Sequence, residues 1–82
     1  MTTRKNHKQG KMVSASDIMS RFHVSYQTIN HYTDFGLLPV SAKEGNMRLY
    51  EREIVEKRLK KIRALMEEGY SLRLIRKQLV GI

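Results

Sequence analysis

The sequence predicts a mostly α-helical domain carrying one small β-hairpin, and three observations predict it. Serines precede helix-compatible runs at Ser14, Ser25 and Ser71, and glycines close such runs at Gly36, Gly69 and Gly81. Val55, Leu59, Ile62 and Met66 recur at i, i+4, i+7 and i+11, the spacing of one helical face. Between Gly36 and that helix, short apolar stretches flank a polar segment containing Gly45-Asn46, which is the pattern of a hairpin.

Taken in order, Ser14-Ala15-Ser16-Asp17 fits a capping box, in which the Ser14 hydroxyl accepts from the Asp17 amide and the carboxylate accepts from the Ser14 amide. A short helix is expected from Ala15 to Arg21. Phe22-His23-Val24 breaks the pattern, and Ser25 caps a second helix that runs through Tyr26 and Ile29 to Phe35. Two short helices joined by a tight turn make a helix-turn-helix candidate. Leu37-Leu38-Pro39-Val40 is expected as the first strand of the hairpin, with a loop at Lys43 to Asn46 and a second strand at Met47 to Tyr50. An amphipathic helix then covers residues 52 to 68, and a last helix capped by Ser71 aligns Leu72, Ile75 and Leu79. Four helices and a wing-like hairpin in this order are the layout of a winged helix-turn-helix domain.

Length allows one such domain, residues 12 to 82, because a chain of 82 residues buries only about 60 to 65% of its unfolded surface. With no cysteine, a disulfide framework, a thiolate metal site and a thiol nucleophile are all excluded. The histidines at 7, 23 and 31 lack metal spacing and are expected at the surface; the methionines at 12, 19, 47 and 66 are expected as core filler or caps. No cofactor is expected, and no constellation of Ser, His or Asp supports an enzyme. No apolar run approaches the roughly 18 residues of a membrane span, nor does the start resemble a secretory signal, so the expectation is a cytoplasmic protein without a membrane partner.

The formal charge is +8, from 16 basic and 8 acidic side chains. Residues 1 to 11 hold Arg4, Lys5, Lys8 and Lys11 without an acid, which reads as a flexible basic arm. The segment from Met12 to Tyr50 is neutral in sum, and the other half of the excess lies beyond it. A basic surplus of this size points to a polyanion such as nucleic acid.

The second helix places Ile29 and Tyr32 on one side and Gln27, Asn30, His31 and Asp34 on the other. In helix-turn-helix proteins the start of that helix enters the major groove, so Tyr26, Gln27 and Asn30 are the candidates for base-edge contact. Asparagine and glutamine can each bond adenine through N6 and N7. The alternative for both amides is an ordinary solvated helix face. In the hairpin, Lys43 and Arg48 offer cations to phosphate, and a guanidinium can grip one bidentately. Ser14 and Ser16, at a helix start, can aim amides at the DNA backbone. Ser25, Thr28, His31 and Tyr50 complete the candidate set. Thr28 is divided between a hydroxyl to phosphate and a structural role, and Tyr50 between a phosphate contact and packing on the long helix.

Val24-Ser25, Thr28-Ile29, Tyr32, Gly36-Leu37-Leu38-Pro39, Glu44 to Tyr50, and Glu68-Gly69-Tyr70-Ser71-Leu72 with Ile75 occur here in a fixed order. On these segments the chain resembles the N-terminal DNA-binding domain of the MerR (mercury-resistance regulator) family of bacterial transcription regulators, over residues 12 to 80. The resemblance implies double-stranded DNA as partner and a phosphate contact at Arg48. It also implies promoter action with RNA polymerase, and a homodimer paired through a C-terminal helix; the chain stops at Ile82, so a head without that helix or an effector domain is expected. Some positions depart from the family pattern. Asn30 replaces an arginine, His31 a tyrosine, His23 a turn glycine, and Glu51 a serine cap, so the family's operator preference does not carry over. His23 suits its place because histidine is enriched at positive φ; Glu51 should weaken the start of the long helix.

The leading functional expectation is sequence-specific double-stranded DNA binding in transcription regulation. One alternative is an excisionase-like architectural factor that bends DNA, which a bending assay on random sequence would favour. Another is a protein-interaction module docking through the last helix with Val80 and Ile82, which an absence of salt-sensitive DNA binding would favour.

Overall fold

The computed structural model describes residues 11 to 81. The chain order is β1 (Met12–Val13), α1 (Ala15–Phe22), α2 (Tyr26–Asp34), β2 (Ala42–Glu44), β3 (Met47–Glu51), α3 (Arg52–Glu67) and α4 (Leu72–Val80). This is a mostly helical winged helix-turn-helix fold with a three-stranded antiparallel sheet in the order β1-β3-β2.

Local chemistry accounts for the helix ends. At α1 the capping box is complete: the Ser14 amide donates to Asp17 Oδ2 at 3.0 Å, and the Asp17 amide donates to Ser14 Oγ at 3.3 Å. Ser25 Oγ accepts from the Thr28 amide at 3.0 Å, and Ser71 Oγ from the Leu74 amide at 3.2 Å, so both serines cap as expected. Glu51 precedes α3 without any side-chain cap bond, which leaves that start the weakest of the four described. His23 ends α1 at φ 55°, in the left-handed region, and its amide donates to the Met19 carbonyl at 3.0 Å. The helix-turn-helix bend thus uses a histidine where glycine would carry no Cβ penalty.

The hairpin differs from its expected boundaries. Leu37 and Leu38 do not form a strand; their amides donate to the Tyr32 carbonyl at 2.8 and 3.3 Å, wrapping the chain around the end of α2 and burying both side chains. The first strand of the wing is the polar stretch Ala42–Glu44, paired with β3 by Ala42↔Leu49, Lys43↔Arg48 and Glu44↔Met47. It is held by the ladder to β3 rather than by an apolar face, which is why apolar content misplaced it. On the other edge of β3, β1 pairs by Met12↔Glu51 and Val13↔Tyr50, an element absent from the sequence reading.

Two linked clusters make the core. Val13, Ile18, Ile29, Leu38, Tyr50, Val55 and Leu59 join the helix-turn-helix to the sheet and α3. Leu37, Ile62 and Ile75 join the end of α2 to α3 and α4, and half-buried Tyr32 packs against both groups. Arg58 Nη1 donates to the Leu37 carbonyl at 2.9 Å, tying α3 to the turn that leads into the wing. The expectation of methionine as core filler does not hold for Met12, Met19, Met47 and Met66, all of which are exposed. Val13, Ile18, Val55, Leu59 and Ile62 are among the side chains that fill the core instead. The basic arm expected over residues 1 to 11 lies outside the described residues apart from Lys11, as does Ile82.

Candidate nucleic-acid interface

Three elements meet around one open concavity. Ser14 and Ser16 line it from the start of α1, Tyr26, Asn30 and Asp34 from α2, and Asn46 and Arg48 from the wing. The helix contribution is a single stripe, since positions four apart stack along one face. Ile29 on the neighbouring face is fully buried, which fixes the rotation of α2 and turns Asn30 toward the wing. Tyr26, at the first turn, is 55% exposed and stands free of the core.

The wing is locked to α2 from beneath. The Tyr50 hydroxyl and Thr33 Oγ1 lie 2.8 Å apart, and Thr33 Oγ1 donates to the Ile29 carbonyl at 2.7 Å. The consistent proton arrangement has Tyr50 donating to Thr33. Tyr50 is 1% exposed. Of its two expected roles, the structure therefore corrects the candidate list toward packing: its hydroxyl is spent on holding β3 against α2.

Arg48 reaches back across the concavity, with Nη1 3.9 Å from Asp34 Oδ1; the two side chains are 41% and 72% exposed. An exposed pair at this distance contributes roughly 0 to 1 kcal/mol, toward the lower end because water screens both partners. It restrains the guanidinium weakly and leaves it available to another anion. Ser14 is committed differently, since its hydroxyl and amide both serve the capping box with Asp17. What remains for an anion there are the unpaired amides of the first turn, at Ala15 and Ser16.

Of the remaining candidates, Gln27 is exposed beside the Tyr26–Asn30 stripe but does not line the concavity. Ser25 Oγ donates to Thr28 Oγ1 at 2.9 Å, so the two hydroxyls are tied to each other at the start of α2, with the Thr28 hydrogen still free to donate outward. His31 stacks on Phe35 at 5.8 Å and 24°, and the Arg76 guanidinium covers that phenyl ring at 4.6 Å. This arrangement turns His31 toward the α4 side of α2 rather than into the concavity. Lys43 faces Arg48 in the ladder and is exposed. Asn46 and Asp34 also line the concavity and were not among the expected contacts. Asp34 was visible as the position four after Asn30, while Asn46 could have been found only from its place at the tip of the hairpin turn.

A wing packed beside an exposed, polar second helix, with helix amides and a guanidinium around one concavity, defines a winged helix-turn-helix DNA-binding domain. Residues 13–80 match the family described as MerR HTH family regulatory protein, and the chain belongs to that family. Among curated proteins it is similar to the nodulation protein NolA of Bradyrhizobium elkanii, 46% identical over 59 residues that make up 71% of this chain and 26% of that protein. It is 44% identical over 59 residues to the NolA of Bradyrhizobium diazoefficiens, covering 71% of this chain and 24% of the relative. The chain thus spans about a quarter of the length of the curated relatives it matches. No solved structure gives a significant match. The family makes this a DNA-binding domain of transcription regulation. No helix among the described residues is long and apolar enough to cross a membrane.

Proposed function

We propose that the chain reads a specific double-stranded DNA site, with α2 in the major groove and the wing against the adjacent backbone. The observation that supports it best is the concavity itself, where Tyr26 and Asn30 stand opposite Arg48 and Asn46. Asn30 bonds adenine N6 and N7 bidentately, and the exposed Tyr26 ring contacts a neighbouring base edge or thymine methyl. Gln27, on the adjoining stripe, is a second amide for adenine. Arg48 grips phosphate, assisted by Lys43 across the ladder, and the first-turn amides of α1 bond a further phosphate. The net charge of +8 supplies the attraction that does not depend on sequence.

Two such heads on a two-fold site place their reading helices about one helical turn of DNA apart, near 34 to 36 Å. Selection of bound duplexes from a random pool tests the reading. Enrichment of A·T pairs at the positions that relax in an Asn30→Ala variant is the expected result, and the spacing of repeated half-sites reports whether two copies bind. A pool that leaves the selection as random as it entered would overturn specific reading.

A further inference from the structure

A second groove lies between β1, α1 and the start of α3, away from the wing. It is lined by Lys11, Ser20, Arg21 and Arg52, with Asp17 as its one carboxylate among the described residues. Among the described residues three cations line it against one acid, and that acid is already engaged: Asp17 Oδ2 accepts from both the amide and the hydroxyl of Ser14, at 3.0 and 3.2 Å. Arg52 adds an independent observation. Its Nε is buried and has no hydrogen-bond partner among the described residues. A buried donor left unpaired is costly, the more so when it carries charge, so native structures seldom keep one without a use for it.

We propose that this groove is a binding site for a phosphate group. A tetrahedral oxyanion suits this lining: it accepts from the Arg52 guanidinium, whose buried Nε would join the pairing once the side chain turns toward the groove, is drawn by Arg21 and Lys11, and takes the Ser20 hydroxyl as a neutral donor. A carboxylate-bearing protein surface would need apolar anchors that the groove supplies poorly, because Met12 and Val13 are its only apolar residues among those described. The backbone that carries the site is fixed, since the Arg52 amide donates to the Lys11 carbonyl at 2.9 Å and closes β1 onto the start of α3. Two sources offer this chemistry: a backbone phosphate of the bound duplex outside the part that α2 and the wing touch, or a free phosphate compound. The first source rests on the DNA reading given above; the second does not.

The test uses the whole chain and four variants, Arg21→Ala, Arg52→Gln, Arg52→Lys and a charge-matched control, Lys57→Ala, each checked for fold by circular dichroism. Titration calorimetry with inorganic phosphate at constant ionic strength reads the free source, and the salt dependence of duplex binding reads the DNA source. If the ligand is a DNA phosphate, Arg21→Ala and Arg52→Gln each lower the salt slope by about 1, while Lys57→Ala leaves it unchanged. If the ligand is a free phosphate, the wild type shows saturable binding that Arg52→Gln and Arg52→Lys both lose, because lysine keeps the charge but not the fork. Slopes equal to wild type together with no saturable phosphate binding would overturn the site, as would an equal slope loss in Lys57→Ala. Failure of the wild type to bind any duplex would count against the DNA reading alone, with the phosphate titration still deciding the groove.

Discussion

Replacing Arg48 with alanine separates what the wing does for the fold from what it does for DNA. In the free protein the guanidinium has one ionic partner among the described residues, Asp34, at 3.9 Å, with the two side chains 41% and 72% exposed. Losing that pair costs stability about 0.5 kcal/mol or less. The β3 strand is kept in place by Tyr50 beneath and by ladders on both edges, so the midpoint of denaturant unfolding should hardly move. On DNA the effect is larger and depends on salt. One lost phosphate contact lowers the slope of log K against log salt by about 0.9. Between 50 and 200 mM salt the advantage of wild type over variant should therefore shrink about three- to fourfold, on random and selected duplexes alike. Fluorescence anisotropy across a salt series measures this directly. Asp34→Asn should move the opposite way, raising affinity on every duplex by removing a carboxylate from the concavity and releasing the guanidinium. An unchanged slope for Arg48→Ala would remove the wing from the contact map, and a weakened Asp34→Asn would mean that the carboxylate orients Arg48 instead of competing for it.

Three further substitutions probe other parts of the account. Asn30→Ala should lose roughly 1 to 3 kcal/mol on a selected site and little on random DNA by the same anisotropy assay; equal losses on both would make Asn30 a backbone contact. Tyr50→Phe should lower unfolding free energy by about 1 kcal/mol in urea while leaving the DNA salt slope alone; a fall in slope would return Tyr50 to the interface. His23→Gly should raise stability by about 0.5 to 1 kcal/mol, because the left-handed backbone at φ 55° penalises a Cβ; a lower melting temperature would show that the imidazole contributes contacts exceeding that strain.

The helices were legible because their signals are local. A serine, a reciprocal Asp17 and a closing glycine or histidine lie within one or two turns of what they control, and the capping box at Ser14 formed as its residue types dictate. The sheet was less legible because its partners are distant. Nothing near Met12 announces that it pairs with Glu51, and the polar Ala42–Glu44 is a strand only because β3 lies alongside. Leu37 and Leu38 looked like a strand by composition, yet the carbonyl of Tyr32 captures both amides and turns them into a buried corner. The site shows the same division. The Tyr26–Asn30 stripe follows from helical spacing and the burial of Ile29. The meeting of Asp34 with Arg48 and the burial of Tyr50 depend on how α2 sits on the wing, which no short stretch of sequence encodes.

We propose that side chains in the concavity read bases, while charge alone brings the chain to DNA. The ratio of affinities for a selected duplex and its scrambled counterpart tests it most directly, measured at physiological salt and repeated at lower salt. A ratio of at least about 10³ is predicted, since specific sites typically exceed non-specific binding by that factor or more. It should fall by roughly 1 to 3 kcal/mol in Asn30→Ala. Equal affinities for the two duplexes, with the same steep salt dependence, would contradict the account and leave the protein a cationic binder of any DNA.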